Sequence, residues 1–145
     1  MGIAYLCKPD RKLAVVVWDG IVTWDVWREH LERMFMDTAW APMEAQISDM
    51  RHSTADQTIT ITQIQEMVAL LAAQRQRVAL KKVAILAGSD WEKPKEAEGT
   101  LPSVSVLPIV FNDLSTACVW LGADVGEVER DVQQLRLKLR SSEQP

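Results

Sequence analysis

Leu13-Ala14-Val15-Val16-Val17-Trp18-Asp19-Gly20 is the stretch that decides how this chain is read. Leu13, Val15 and Val17 alternate with Ala14, Val16 and Trp18, so both faces of a strand built here are apolar. Such a strand belongs in the interior of a sheet covered on two sides, as in parallel sheets flanked by helices. Asp19-Gly20 ends the run. Upstream, Ile3 to Cys7 reads as a second strand, joined through Lys8-Pro9-Asp10-Arg11, whose Pro-Asp step presets a tight turn. The chain is therefore expected to open with an antiparallel β-hairpin whose second arm is the inner one.

Toward the C-terminus, helical stretches alternate with short apolar runs. Thr23 is suited to cap a helix in which Trp27, Leu31, Met34 and Phe35 recur at helical spacing, bordered by Val26 and His30. After a loop carrying Trp40, Ala45 to Met50 reads as a short strand, and Ser53 to Gln57 as a polar loop. The Thr58 to Thr62 run alternates like a strand. Helical phase nevertheless links Ile61, Ile64, Val68 and Leu71, with Met67 beside them, and Thr60 with Gln63, or Thr62 with Gln65, forms a capping box.

Val83 to Ala87 is a compact buried strand stopped by Gly88-Ser89-Asp90, and a short helix is expected from about Pro94 in the charged Glu92 to Gly99 segment. In the last strand, Val104 to Phe111, Pro108 removes a ladder donor, which places the strand at an edge or breaks it. Asn112-Asp113 caps a helix bearing Ala117, Trp120 and Leu121, and Gly122 terminates it. From near Asp124 a final amphipathic helix places Val125, Val128, Val132, Leu135 and Leu139 on one stripe, facing either its own domain or a dimer partner. The expected division is a domain over 1–122, an appended helix over 123–140 and a disordered tail over 141–145.

Composition narrows the function. A length of 145 residues with 48% hydrophobic and 25% charged residues is enough for one self-supporting domain. The net charge of -4 disfavours a general nucleic-acid binder, and Arg75, Arg77, Lys81 and Lys82 gather where cations offset a helix C-terminus. No run approaches the roughly 18 apolar residues that span a bilayer, so no membrane insertion and a cytoplasmic location are expected. Cys7 and Cys118 read as small buried side chains, and with His30 and His52 they give no zinc-ligand spacing. Without a Gly-rich phosphate loop or a nucleophile elbow, neither a cofactor nor a metal is expected.

Ligands of open parallel sheets bind beyond the carboxyl ends of the strands. In this chain that edge should gather Asp19 and Gly20, then Arg51, His52, Ser53 and Thr54, then Ser89, Asp90 and Trp91, then Asn112 and Asp113. Arg51 with His52 is suited to an anion, and Asp90 to either of them.

The hairpin, the Asp19-Gly20-Ile21-Val22-Thr23 entry to the first helix, the Asp49-Met50-Arg51 strand end, and Ile109-Val110-Phe111 followed by Ala117 and Trp120-Leu121 resemble the STAS-like family. That family includes anti-sigma-factor antagonists and the cytoplasmic domains of sulfate transporters. Over Ile3 to Leu121 the resemblance implies a sheet of four or five strands with helices, and a role in protein interaction or in binding a small ligand. In the antagonists a serine in an Asp-Ser-Ser-Gly pattern near the second helix is phosphorylated. Here Ser53-Thr54-Ala55-Asp56 departs from that pattern, leaving Ser53 or Thr54 as the hydroxyls a kinase would modify.

Three functions stay open at this point. The first is a noncatalytic regulatory module that binds a protein, using tryptophan surfaces such as Trp24, Trp40 and Trp91, while Trp18, Trp27 and Trp120 fill the core. The second is a binder of a small apolar or anionic ligand in a pocket between sheet and helices near Trp91. The third is an enzyme using His52 with Asp90. A homodimer through the C-terminal helix accompanies the first.

Overall fold

The computed structural model describes residues 2–55, 59–74, 77–87 and 106–141. Its elements run β1 (Gly2–Lys8), β2 (Leu13–Val22), α1 (Trp24–Met36), β3 (Ala45–Ala55), α2 (Ile61–Ala73), β4 (Lys82–Leu86), β5 (Leu107–Phe111), α3 (Leu114–Leu121) and α4 (Val125–Ser141). The strands form one sheet in the order β1-β2-β3-β4-β5. β1 is antiparallel to β2, and every other neighbouring pair is parallel. This is the α/β architecture that the order of apolar runs predicts.

β2 sits between β1 and β3, and Ala14 through Val17 have no exposed surface. Its side chains are divided among three buried clusters, one of which joins Val16, Trp18 and Val22 to Ile3 of β1. Ala14 packs with Leu31 and Met34 of α1 and with Ile64 and Met67 of α2. Leu13, Val15 and Val17 pack with Ala117 and Cys118 of α3 and with Val128, Val132 and Leu135 of α4. The stripe of α4 thus faces the chain's own sheet, the first of the two alternatives that the sequence leaves open.

The caps are those the sequence indicates. Thr23 Oγ1 accepts from the Val26 amide, and Asp113 accepts from the Thr116 amide. Thr60 and Gln63 bond each other's backbone amides reciprocally. Ile59 and Ile64, on either side of that box, are both buried, which completes a hydrophobic staple. Gly122 closes α3 at φ 70, a left-handed geometry that glycine adopts without strain.

Four expectations change. β2 continues through Gly20, which takes φ 76 and keeps the strand paired to β3 as far as Val22. β3 is longer than Ala45 to Met50, so Ser53 and Thr54 are strand residues rather than part of a loop at a helix start. Trp40 is 1% exposed because the turn after α1 folds it under the helix; its Nε1 donates to Gln46 at 3.1 Å and its ring lies against Phe35. His30 is interior rather than at a border, edge-on to Tyr5. Ser89 to Asp90, Trp91, the helix expected near Pro94, residues 104–105 of the last strand and 142–145 of the tail lie outside the described residues.

Pro108 fits an edge strand. The Leu107 amide donates to Lys81 and the Phe111 carbonyl accepts from Ala87, so odd-numbered residues of β5 face β4 and the donor missing at Pro108 is an outward one.

If α4 is held by its sheet-facing stripe, Leu135→Ala should cost about 2–5 kcal/mol in urea unfolding. Leu137→Ala, at a position 66% exposed, should leave stability within about 0.5 kcal/mol of wild type. Equal effects at the two positions would contradict this packing.

Candidate functional site

At the carboxyl ends of the strands the sheet is uneven. Val17, Asp49, Leu86 and Phe111 lie level across it, and β4 and β5 stop there. β2 and β3 continue, flanked by β1 as far as Asp19 and as a two-stranded ribbon from Gly20, with Asp19 beside His52 and Ile21 beside Thr54. Between Val17 and Asp19 the register slips, because β3 uses three steps where β2 uses two. The extra residue is a β-bulge, and Arg51 lies within it.

Asp49 has no exposed surface and lies on β3 just before the bulge. A buried carboxylate needs charged or hydrogen-bonding partners, since desolvation of an unpaired one costs several kcal/mol. Arg51 supplies three donors, from its backbone N at 3.1 Å, Nε at 2.9 Å and Nη2 at 2.9 Å. Arg136 of α4 adds Nη2 at 3.2 Å. Burial alone would raise the Asp49 carboxyl, but the Arg51 hydrogen bonds and the two guanidinium charges hold it below the usual carboxylate range. Bonding to Asp49 in turn pushes the Arg51 pKa up.

A second carboxylate extends the cluster. Asp19 on β2 pairs with Arg140 through Nη2 at 3.3 Å and Nε at 3.4 Å, and Arg136 Nε lies 3.9 Å from it. Two carboxylates of adjacent strands thus hold two arginines one turn apart on α4, together with Arg51. Lys8 of β1 binds Asp131 at 2.7 Å and also Glu127, so the N-terminal part of the same helix is tied to the other end of the hairpin.

Of the residues expected at this edge, the structure brings Arg51, His52, Ser53 and Thr54 together on the β3 extension, while Asp90 and Trp91 lie outside the described residues. Arg51 is half-buried, His52 and Thr54 are exposed, and Ser53 is half-buried with its hydroxyl donating to the Met50 carbonyl at 2.9 Å. Asp113 is taken up in capping α3, and its bonds to Thr116 lower its pKa. Arg136 and Arg140 escape a reading of the sequence, where they look like the polar side of an amphipathic helix. The available signal is their spacing of four beside the Val132-Leu135-Leu139 stripe, with aspartates ending two apolar strands. Among the described residues no group of three or more His, Cys, Asp or Glu side chains converges as metal ligands would, and no helix is long and apolar enough to cross a membrane.

No protein-family model matches the sequence, and no curated protein matches it. Solved structures do match. One is an uncharacterized protein of the DUF3478 family from Shewanella loihica PV-4, described as having a SpoIIAA-like fold. It superposes with a TM-score of 0.57 at 15% identity, over 83% of this chain and 94% of that one. The chain therefore has a SpoIIAA-like, or STAS-like, fold, as its resemblance to that family implies.

Two outcomes follow from the buried groups. Asp49→Asn strands Arg51 and Arg136 and should cost about 3–5 kcal/mol at neutral pH. The stabilisation from ionised Asp49 is complete above about pH 4 and fades as pH falls through its lower folded-state value, so the gap to D49N should narrow in acid unfolding curves. His30 is pushed down to about 3 by burial and by the neighbouring Arg33 charge. Its imidazole carbon shifts should stay flat in NMR from pH 8 to pH 5. Stability should decline as pH falls below about 6.5, where the unfolded chain takes up this proton, and His30→Gln should flatten that slope.

Proposed function

We propose that this chain is a noncatalytic regulatory module that binds another protein through the carboxyl rim of its sheet. The carrying observation is the clasp of Arg51 on buried Asp49. It fixes a half-exposed guanidinium on a rigid strand, and arginines held in place are favoured anchors of protein contacts because little ordering cost remains on binding. Beside it the ribbon displays Ile21, 60% exposed, with His52 and Thr54. β4 ends at the same rim, and Asp90 and Trp91 follow it in sequence. The SpoIIAA-like fold supports the reading at the level of architecture.

A binder of a small anion would use the same guanidinium. Two grooves among the described residues lie away from it, one along β1 and α1 and one at the start of the strands near Arg77. A broad rim with an exposed ribbon favours a protein as the partner. Of the two hydroxyls, Thr54 is the one open to a kinase, and a phosphate there would add negative charge three residues along β3 from Arg51.

A photo-cross-linking side chain placed at Thr54 in the source cells should trap a discrete protein, and Arg51→Lys should lower that yield about tenfold, the effect of ~1.4 kcal/mol. The same group at Val119, 79% exposed on α3 and away from the rim, should trap none of it. Equal products from Val119, or a yield indifferent to Arg51→Lys, would refute the reading.

A further inference from the structure

The two edge strands of the sheet differ in what they offer a further strand. On β5, Pro108 deletes an outward donor, one of the ways in which sheets avoid adding strands. β1 pairs with β2 over seven residues without a register break, contains no proline, and carries no charge from Gly2 through Cys7. Its one cation, Lys8, is taken up by Glu127 and Asp131. Along the outer side of β1, alternate backbone N–H and C=O groups point away from β2, and among the described residues no strand meets them.

Beside that edge lies a groove of about 820 Å³, lined by Tyr5, Glu29, Glu32, Arg33, Met36 and Asp37. Three carboxylates against one guanidinium leave the lining negative. Tyr5 donates to Asp37 at 2.6 Å, and with the Ala39 amide this bond holds the Asp37 carboxyl below the usual carboxylate range, so the acid that touches β1 is ionised at neutral pH. Arg28 meets Glu32 at 3.3 Å from outside the lining, in an exposed pair that water screens and a competing cation can replace. On the α4 side of β1, Lys8 and Arg11 balance Glu127 and Asp131, so the excess charge along this edge is that of the groove.

We infer that β1 takes an extended segment of another protein, bearing lysine or arginine, as an added strand whose cations enter this groove. Backbone pairing supplies the affinity and the groove supplies the selection, because alternate side chains of an added strand fall on the α1 face about 7 Å apart. A cation there meets Glu29, Glu32 or Asp37, and an apolar neighbour meets Met36, which is 83% exposed. A second copy is the wrong occupant, since its own β1 is uncharged as far as Cys7 and its groove carries the same negative excess. The edge lies apart from the carboxyl rim, so this pairing stands or falls without the rim reading.

The probe is a capped peptide as long as β1 that alternates valine with lysine. Added to the full chain at low ionic strength, it should bind in a fluorescence anisotropy titration, and hydrogen exchange should find alternate amides of β1 newly protected. The same peptide N-methylated throughout keeps its charges but loses its backbone donors, and should not bind. Glu29→Gln combined with Glu32→Gln should weaken the lysine peptide about tenfold with unchanged far-UV circular dichroism, whereas Glu66→Gln, exposed on α2, should leave it as it was. The inference is overturned if the peptide fails to bind at about millimolar concentration, if its N-methylated form or a glutamate-for-lysine form binds equally, or if the paired glutamine changes have no effect. Outward β1 amides already protected in the chain alone would also overturn it, marking an edge filled by a second copy.

Discussion

The rest of the structure depends on a carboxylate with no access to water. Asp49 sits on the middle strand of the sheet, level with Val17 on one side and Leu86 on the other, in a layer otherwise apolar. A charge placed there is tolerable only while guanidinium groups surround it. One comes from two residues along the same strand, within the bulge, and the other comes from α4. Neutralising Asp49 therefore ties a helix 87 residues away in sequence to the middle of the sheet.

That docking is a two-ended arrangement. Lys8 ties the start of α4 to the hairpin, Asp19 and Asp49 tie its end to β2 and β3, and Val128, Val132 and Leu135 fill the space between. The apolar contacts supply most of the affinity of helix for sheet, while the ion pairs set its position along the strands. With α4 so placed, Arg51 is held at the rim by its three bonds to Asp49. A fixed cation on a projecting ribbon is what the functional reading rests on. At the other side of the sheet, Pro108 removes an outward donor from the edge strand β5.

Much of this was legible from local chemistry. Alternating apolar residues announced β2 as an interior strand, and the caps at Thr23, Thr60, Asp113 and Gly122 marked helix ends because their side chains or backbones satisfy nearby groups. Pro108 announced an edge strand. What escaped the reading is non-local. The second half of β3, Asp49 to Ala55, is polar and has no period-two pattern, since its neighbours are the extension of β2 and the arginines of α4. Gly20 reads as a breaker because positive φ is more common in turns than within a strand. Trp40 looks like a loop residue until the turn at Asp37 folds it under α1, and His30 differs from a border residue only once Tyr5 is placed beside it. Arg136 and Arg140 are indistinguishable from a solvated helix face until two aspartates arrive across the sheet.

Whether Asp49 holds α4 on the sheet is decided by a double-mutant cycle on Asp49 and Arg136. Urea unfolding of wild type, Asp49→Asn, Arg136→Met and the double variant, all at neutral pH, gives the coupling between strand and helix. The double variant should be appreciably more stable than the sum of the single losses requires, with a coupling of about 1–3 kcal/mol. Losses that simply add would mean that Asp49 and Arg136 do not act on each other, and that something else holds α4 and the rim in place.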